Sequence, residues 1–126
     1  MKTIIKTDNA PAPIGPYNQA ILSNNTLYLS GQIALNPATS KLMINSLEEE
    51  TKQVMENVKA VLNAADFNFD NVVKTTIFLS NMSHFEQVNK IYGSYFNDEN
   101  APARETIAVL GLPKSVNVEI SMIAIK

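Results

Sequence analysis

Several reactive residue types are missing from this sequence. Its 126 residues include no cysteine, no tryptophan and one histidine, His84. Without cysteine the chain has no disulfide, no thiolate metal ligand and no cysteine nucleophile. His84 has no acidic partner at an obvious spacing, so we interpret it as a solvated residue at a helix start. One histidine and scattered acids make neither a zinc nor a calcium site, and we expect no metal or other cofactor.

Glycine and long apolar runs are also scarce. The four glycines, Gly15, Gly31, Gly93 and Gly111, are too dispersed for a dinucleotide fingerprint or a phosphate loop. The N-terminal segment MKTIIKTDNAPAP has only two adjacent large apolar residues, which is too few for a signal peptide or a membrane span. We therefore expect a cytoplasmic protein with no membrane partner.

The charge balance gives no sign of a polyanion binder. Ten lysines and arginines stand against 12 acidic residues, for a net charge of -2. No general attraction to nucleic acid or to anionic lipid follows from this balance. The hydrophobic content of 45% is enough for one compact domain that spans residues 1–126.

Strand patterns recur along the chain. YNQAIL and TLYLSGQIAL are typical of two strands joined by a hairpin turn at residues 23–25. VVKTTIFLS is rich in β-branched residues and predicts a third strand, with Val73 and Ile77 on one face and Val72 and Phe78 on the other. Two more strands, joined by a turn at residues 111–114, are expected after residue 100.

Two amphipathic helices are predicted between these strands. Ser46 and Glu49 have the spacing of a capping box at the start of the first helix, and Ser83 and Glu86 repeat it for the second. The first helix buries residues at a spacing of about 3.6, namely Val54, Val58, Val61, Leu62 and Ala65. Its polar face is assigned Glu50, Lys52, Glu56, Asn57 and Lys59. The acidic run at 48–50 is interpreted as structural, because it meets the positive end of the helix dipole.

Two helices are too few to cover both faces of a sheet of five or six strands. The last predicted strand is apolar on both faces, with Val116, Val118, Ile120, Met122 and Ala124 alternating with Ile123 and Ile125. We therefore expect an α+β layer with both helices on one face of the sheet. An uncovered apolar face marks an interaction surface, so we also expect a homo-oligomer.

The stretch NAPARETIAVLGLPKSVNVE carries the candidate chemistry. A Pro-Ala pair restricts the backbone before Arg104, so its planar guanidinium could be aimed at a carboxylate. Glu119 lies in the middle of an apolar strand, where a carboxylate must be paired, solvated in a cleft or shifted toward its neutral form. The alternatives are a surface arginine paired with an acid and an edge-strand glutamate that faces water.

Six segments resemble the RidA (YjgF) family in order and spacing: IGPYNQAI, YLSGQIALNP, VVKTTIFL, VNKIYGSYF, APAR and LPKSVNVEISMIA. Together they cover nearly the whole chain. The resemblance implies a chorismate-mutase-like α+β domain, with a mixed sheet and two helices on one face. It implies a homotrimer with active sites between subunits. It also implies a cofactor-independent hydrolase that converts 2-iminobutanoate and 2-iminopropanoate to 2-keto acids and ammonia.

The resemblance also assigns roles to residues. The substrate-carboxylate arginine of the family falls on Arg104, and its water-positioning glutamate falls on Glu119. The expected substrate-binding residues are Tyr17, Ser30, Gly31, Asn89 and Thr106. Where the family commonly reads Arg-Ser-Cys, this chain has Glu105 and Thr106 after the arginine. Strand alternation predicts that Glu105 points away from the cleft, and the backbone amide at Thr106 can still serve the substrate.

Two other functions remain open. A regulatory module that binds small carboxylates would need Arg104 but not Glu119. Some RidA-like proteins have been described as endoribonucleases or translation inhibitors. The acidic balance, the lone histidine and the lack of a basic aromatic patch argue against that activity here.

Overall fold

A computed structural model describes all 126 residues as one mixed sheet and two helices. The strands are β1 (Lys2–Ile5), β2 (Ala20–Ser23), β3 (Thr26–Gln32), β4 (Val72–Leu79), β5 (Ala103–Ala108) and β6 (Val118–Ile125). Helix α1 (Leu47–Ala64) connects β3 to β4, and α2 (Phe85–Gly93) connects β4 to β5. The spatial order is β1-β2-β3-β6-β4-β5, and only the β4–β5 pair is parallel.

The two helices begin in different ways. Ser46 caps α1 as predicted, because its hydroxyl accepts the Glu49 N–H at 3.1 Å. The predicted capping box at Ser83 is wrong. Asn81 instead accepts the Ser83 N–H at 2.8 Å and starts a short 3-10 turn, and α2 follows at Phe85. An asparagine two residues earlier thus takes the capping role that the serine spacing suggested.

Two residues that were assigned to the polar face of α1 are buried. Asn57 is 1% exposed, and its amide donates to the carbonyls of Ile33 at 3.0 Å and Leu35 at 2.8 Å. Glu50 is fully buried and accepts three N–H groups from the residues at the start of β6. Backbone partners supplied by distant segments make this burial possible.

A β-bulge changes the predicted faces of β4. Pairing with β6 shifts between Val72 and Lys74, so one extra residue lies on β4 at this point. Val72 is therefore 4% exposed and shares the face of Ile77, whereas Val73 is 43% exposed, so each residue lies on the face predicted for the other. In the remainder of the strand Thr75, Ile77 and Leu79 share one face as predicted, and this face is buried in the core.

Both helices pack on one face of the sheet, which confirms the predicted α+β layer. Helix α1 contacts β3, β6 and α2. The opposite face carries a row of large apolar side chains across β1, β2, β3 and β6, formed by Ile4, Ile21, Tyr28 and Ile123. Ile4 and Tyr28 are about half exposed, at 51% and 50%. We call this uncovered surface the open face.

Neither helix combines the length and the apolar character that a membrane crossing requires.

Candidate active site

A cavity of about 450 Å³ lies beside Glu119, where β3 and β6 meet two loops. Its lining includes four of the residues that the sequence singled out, namely Tyr17, Ser30, Gly31 and Glu119. Apolar side chains from the loops complete the walls, among them Pro11, Ala12, Ile14, Leu35 and Pro113. We call this cavity the Glu119 pocket.

A β-bulge in β3 brings Gly31 against Glu119 and places Ser30 in the wall of the same pocket. Pairing with β6 shifts across these two residues, so β3 has one more residue than β6 at this step. The Ser30 hydroxyl donates to the Asn18 carbonyl at 2.5 Å, which ties the bulge to the segment before β2. A β-carbon built on Gly31 would lie 2.8 Å from Glu119 Cδ and closer still to Oε2. Only glycine leaves room for the carboxylate at this position.

Glu119 has the environment of a proton acceptor. It lies on β6 between β3 and β4, so it is not on an edge strand, and its side chain is half-buried. Neither of the two ion pairs in the protein involves it. Burial raises the pKa of the Glu119 carboxyl above its ordinary value. A carboxylate with a raised pKa is a stronger base toward water.

Gln19 organises the loop that walls the Glu119 pocket. Its carbonyl oxygen accepts the Thr7 N–H at 2.7 Å. Its amide donates to the carbonyls of Thr7, Ala10 and Pro11 at 3.0, 3.2 and 2.9 Å. These bonds hold the loop that continues into the wall residues Ala12 and Ile14. No sequence motif singled out Gln19, and its polar amide just before a strand was the only available signal.

A second cavity of about 410 Å³ lies beside Arg104 on the helix side of β5. Arg104 Nη1 donates to Asn89 Oδ1 at 2.6 Å. The guanidinium carbon lies 5.2 Å from the centre of the Tyr92 ring and 5.7 Å from that of Phe85. The two ring faces attract the cation. The amide and the rings together fix the direction of the guanidinium. We call this cavity the Arg104 pocket.

Arg104 has no carboxylate partner in the chain. The ion pairs are Lys74–Glu105 at 3.0 Å and Lys126–Asp66 at 3.3 Å. The alternative of a surface arginine paired with an acid is therefore excluded within one chain. A half-buried guanidinium that bonds only an amide keeps free N–H groups for an incoming anion. The Arg104 pocket can therefore receive a small carboxylate.

The residues after Arg104 alternate between the two sides of β5. Glu105 points to the open face, where it pairs with Lys74 and accepts a hydrogen bond from Thr76. These two partners, Thr76 first, lower the pKa of the Glu105 carboxyl. The prediction that Glu105 points away from Arg104 is confirmed. Thr106 faces the same side as Arg104, and its hydroxyl is buried without a hydrogen-bond partner.

His84 differs from its predicted role, because its Nδ1 is buried and has no hydrogen-bond partner. It is therefore less solvated than the sequence suggested. No group of three or more His, Asp or Glu side chains is arranged to hold a metal ion.

The predicted site residues form two half-sites on opposite sides of the sheet. Arg104 pairs with the buried Thr75 and faces α2. Glu119 and Ile107 both pair with Phe78, and the side chains of these three residues lie on the open face. Asn89 belongs to the Arg104 half-site, and Thr106 lines neither pocket. A single chain thus does not bring Arg104 and Glu119 together.

The family model for endoribonuclease L-PSP matches residues 7–126. The chain belongs to this family, which is also called YjgF/RidA. The resemblance drawn from the sequence is therefore confirmed. The chain is 43% identical to human 2-iminobutanoate/2-iminopropanoate deaminase over 126 residues, covering all of this chain and 91% of that protein. It is 49% identical to a candidate regulator, AldR of Lactococcus lactis, covering 96% of this chain and 95% of that protein.

Solved structures of the RidA family share the fold. YyfA of Yersinia pestis, from the conserved Rid family, has a TM-score of 0.96 and 49% identity, with full coverage of both chains. Escherichia coli TdcF with bound serine has a TM-score of 0.92 and 33% identity, with 98% of each chain covered. The predicted fold class is thus confirmed. The mammalian homologues support an enzyme of the RidA family.

Proposed function

We propose that this RidA-family protein hydrolyses 2-imino acids, 2-iminobutanoate and 2-iminopropanoate among them, to 2-keto acids and ammonia. The observation that carries the proposal is the guanidinium of Arg104, which is oriented by an amide and two rings and has no acidic partner. Every 2-imino acid carries the carboxylate that such a group binds with two parallel hydrogen bonds. The names of the human and mouse homologues support the same substrate class.

A second copy of the chain completes the site in this proposal. Arg104 and Glu119 face opposite sides of one sheet, so a small substrate cannot reach both within one chain. Assembly through the open face would bring the Glu119 pocket of one copy to the Arg104 pocket of the next. The exposed apolar row on that face supports such an assembly. The family resemblance suggests three copies and three such sites.

In this complete site the binding residues hold the substrate next to a water molecule. Arg104, oriented by Asn89, binds the carboxylate. The backbone N–H groups of Gly31 and Thr106 supply further donors to it. The remaining contacts along the substrate come from Tyr17 and Ser30. Holding the reactants in this way removes much of the entropic cost of the reaction.

The hydrolysis then proceeds in two steps. Glu119 takes a proton from water as the water oxygen bonds to the imine carbon, and the C=N π electrons move to the protonated nitrogen. The resulting carbinolamine receives the proton back on nitrogen. Its C–N bond breaks, ammonia leaves with the bonding electrons, and the hydroxyl proton passes to solvent to give the keto group. General-base assistance contributes about 10²- to 10⁴-fold in such steps.

The test follows the decay of 2-iminobutanoate, generated in situ from threonine by a dehydratase, beside a control without the protein. We expect the wild type to accelerate the decay and Glu119→Gln to lose roughly 10²- to 10⁴-fold of this acceleration. Glu119→Gln should still bind 2-ketobutanoate, because Arg104 is intact. Arg104→Ala should lose saturable turnover while keeping the fold and the oligomer. Full activity in either variant would remove that residue from the mechanism.

A regulatory module is the second candidate, because the AldR relative is described as a regulator. It would bind small carboxylates at Arg104 without needing Glu119. Arg104-dependent binding of 2-ketobutanoate with no acceleration of imine decay would favour it. The family description names an endoribonuclease, and the net charge of -2 argues against RNA as the substrate.

A further inference from the structure

Glu50 holds a fully buried carboxylate that no cation neutralises. Its Oε2 accepts the backbone N–H groups of Asn117 at 2.7 Å and Val118 at 3.1 Å. Its Oε1 accepts the Asn117 side-chain amide at 2.8 Å. A buried charge is costly unless hydrogen bonds satisfy it, and these three donors do so. They tie the first turn of α1 to the start of β6.

Asn117 is also held from the other side, by the end of β4. Its carbonyl accepts the Ser80 N–H at 3.0 Å, and its Oδ1 accepts the Ser80 hydroxyl at 3.1 Å. We call this set of bonds among Glu50, Asn117, Val118 and Ser80 the β6 clamp. Glu119 follows Val118 directly, so the clamp sets the backbone position from which its side chain enters the pocket.

The loop before the clamp is strained. Lys114 and Ser115 have φ angles of 55° and 56°, in the left-handed region that costs non-glycine residues energy. Pro113 in the same loop lines the Glu119 pocket. Such a backbone persists only when its surroundings hold it, and the β6 clamp fixes the residues that follow. Loss of the clamp would therefore displace both Pro113 and Glu119.

We propose that Glu50 is a positioning residue for imine hydrolysis, which holds Glu119 and Pro113 in place around the attacking water. Glu50 does not line the pocket itself. The inference rests on the proposed function, because it takes Glu119 as the group that handles water.

Three variants separate this role from general stability. Glu50→Ala removes both acceptor oxygens and with them all three hydrogen bonds. Glu50→Gln keeps one oxygen, which can accept both backbone N–H groups. If the Asn117 side-chain amide rotates, its oxygen accepts a hydrogen bond from the glutamine NH₂ and its nitrogen donates to the Ser80 hydroxyl. Thr51→Val is the matched control, because Thr51 is fully buried in the same turn and donates only to the Leu47 carbonyl within α1.

We expect Glu50→Ala to lower kcat for 2-iminobutanoate roughly 10- to 100-fold, as misplacement of a catalytic group does. KM should stay within about twofold, because Arg104 lies on the other side of the sheet. The acid limb of the pH profile should also move to lower pH, since a relaxed loop lets water reach Glu119. Tyr17 is the only other titratable residue in the pocket. Glu50→Gln and Thr51→Val should keep the wild-type limb and kcat within about threefold.

If folded Glu50→Ala keeps the wild-type kcat and the wild-type acid limb, the inference is overturned and the proposed function is unaffected. Retained turnover in Glu119→Gln would remove Glu119 from the mechanism and overturn the inference with it. The proposed function itself would be overturned if the wild type did not accelerate imine decay. If Glu50→Ala does not fold, Asn117→Ala serves in its place. That variant keeps the backbone N–H but loses both side-chain bonds of the clamp. It should show a smaller fall in kcat with the same direction of pH shift, and a wild-type profile would overturn the inference.

Discussion

The half-buried carboxylate of Glu119 destabilises the fold when it is ionised. Its carboxyl is half-buried without a cation, and this burial raises its pKa in the folded protein. The folded state therefore binds the proton more tightly than the unfolded state. The resulting stabilisation is present below the unfolded pKa and is lost as the pH rises through the folded one. Above its folded pKa the ionised side chain weakens the fold, which is the stability cost of the base proposed here.

Replacing Glu119 with glutamine should therefore raise the melting temperature at pH 7. Glutamine keeps the shape of the side chain but never ionises, so it avoids the cost of a half-buried charge. The gain in melting temperature should shrink as the pH falls toward 4.5, the ordinary pKa of this carboxyl, because the wild-type side chain then loses its charge. Calorimetry of both proteins from pH 4 to 8 checks this. A variant that is less stable than wild type at pH 7 would contradict the assigned direction.

Gly31→Ala should remove most of the activity with a small effect on stability. The new methyl group would occupy the position of the Glu119 carboxylate and push it away from the water site. A displacement of about 1 Å can lower the rate roughly 100-fold. Gly111→Ala is the control, because a β-carbon there meets no atom within 4 Å. Imine decay and thermal unfolding are measured on both variants, and equal activities would show that the contact is not critical.

At the scale of elements, the sequence predicted what local contacts determine. The hairpin of β2 and β3, the Ser46 cap and the strand at β4 all depend on neighbours a few residues away. Strand β1 was missed, because it has four residues of which only Ile5 is buried. The bulge that exchanges Val72 and Val73 was also missed, since it arises from pairing with β6.

The parts of the site that sequence could not predict depend on distant pairing. Glu50 looks like one member of an acidic helix start, and its partner Asn117 is 67 positions away. Arg104 and Glu119 were singled out from local patterns in the sequence. Their separation onto two sides of the sheet follows from the pairing of β5 and β6 with β4, which no local pattern specifies.

The cap of the second helical segment offers a direct test of element-scale reasoning. Asn81→Ala should lower the free energy of unfolding by about 1 kcal/mol, because the Ser83 N–H loses its acceptor. Ser83→Ala should have nearly no effect, since the serine hydroxyl makes no capping bond. Urea unfolding of the two variants distinguishes the structure from the capping-box prediction. A larger loss of unfolding free energy in Ser83→Ala than in Asn81→Ala would instead support the capping box at Ser83.

For the whole molecule, the proposed assembly depends on the open face, through which the Glu119 pocket of one copy would meet the Arg104 pocket of the next. Tyr28→Glu places a charge in the centre of its apolar row, and burying that charge between copies would be costly. We expect the variant to fold as a monomer with little or no imine hydrolysis. Light scattering after gel filtration, circular dichroism and the decay assay check this.

Lys52→Glu, on the exposed side of α1, is the control and should keep the assembly. An oligomer of unchanged mass and activity in Tyr28→Glu would show that the open face is not the interface.

Strand β6 lies between β3 and β4, although it follows all the other strands along the chain. While a ribosome is making the protein, β3 and β4 cannot acquire their shared neighbour until residues 118–125 have emerged. Because a ribosome adds about 5 to 20 residues per second, a few seconds pass between the synthesis of β4 and that of β6. For that time two unpaired strand edges are open to other chains or to chaperones. The sheet then closes through the late insertion of its central strand.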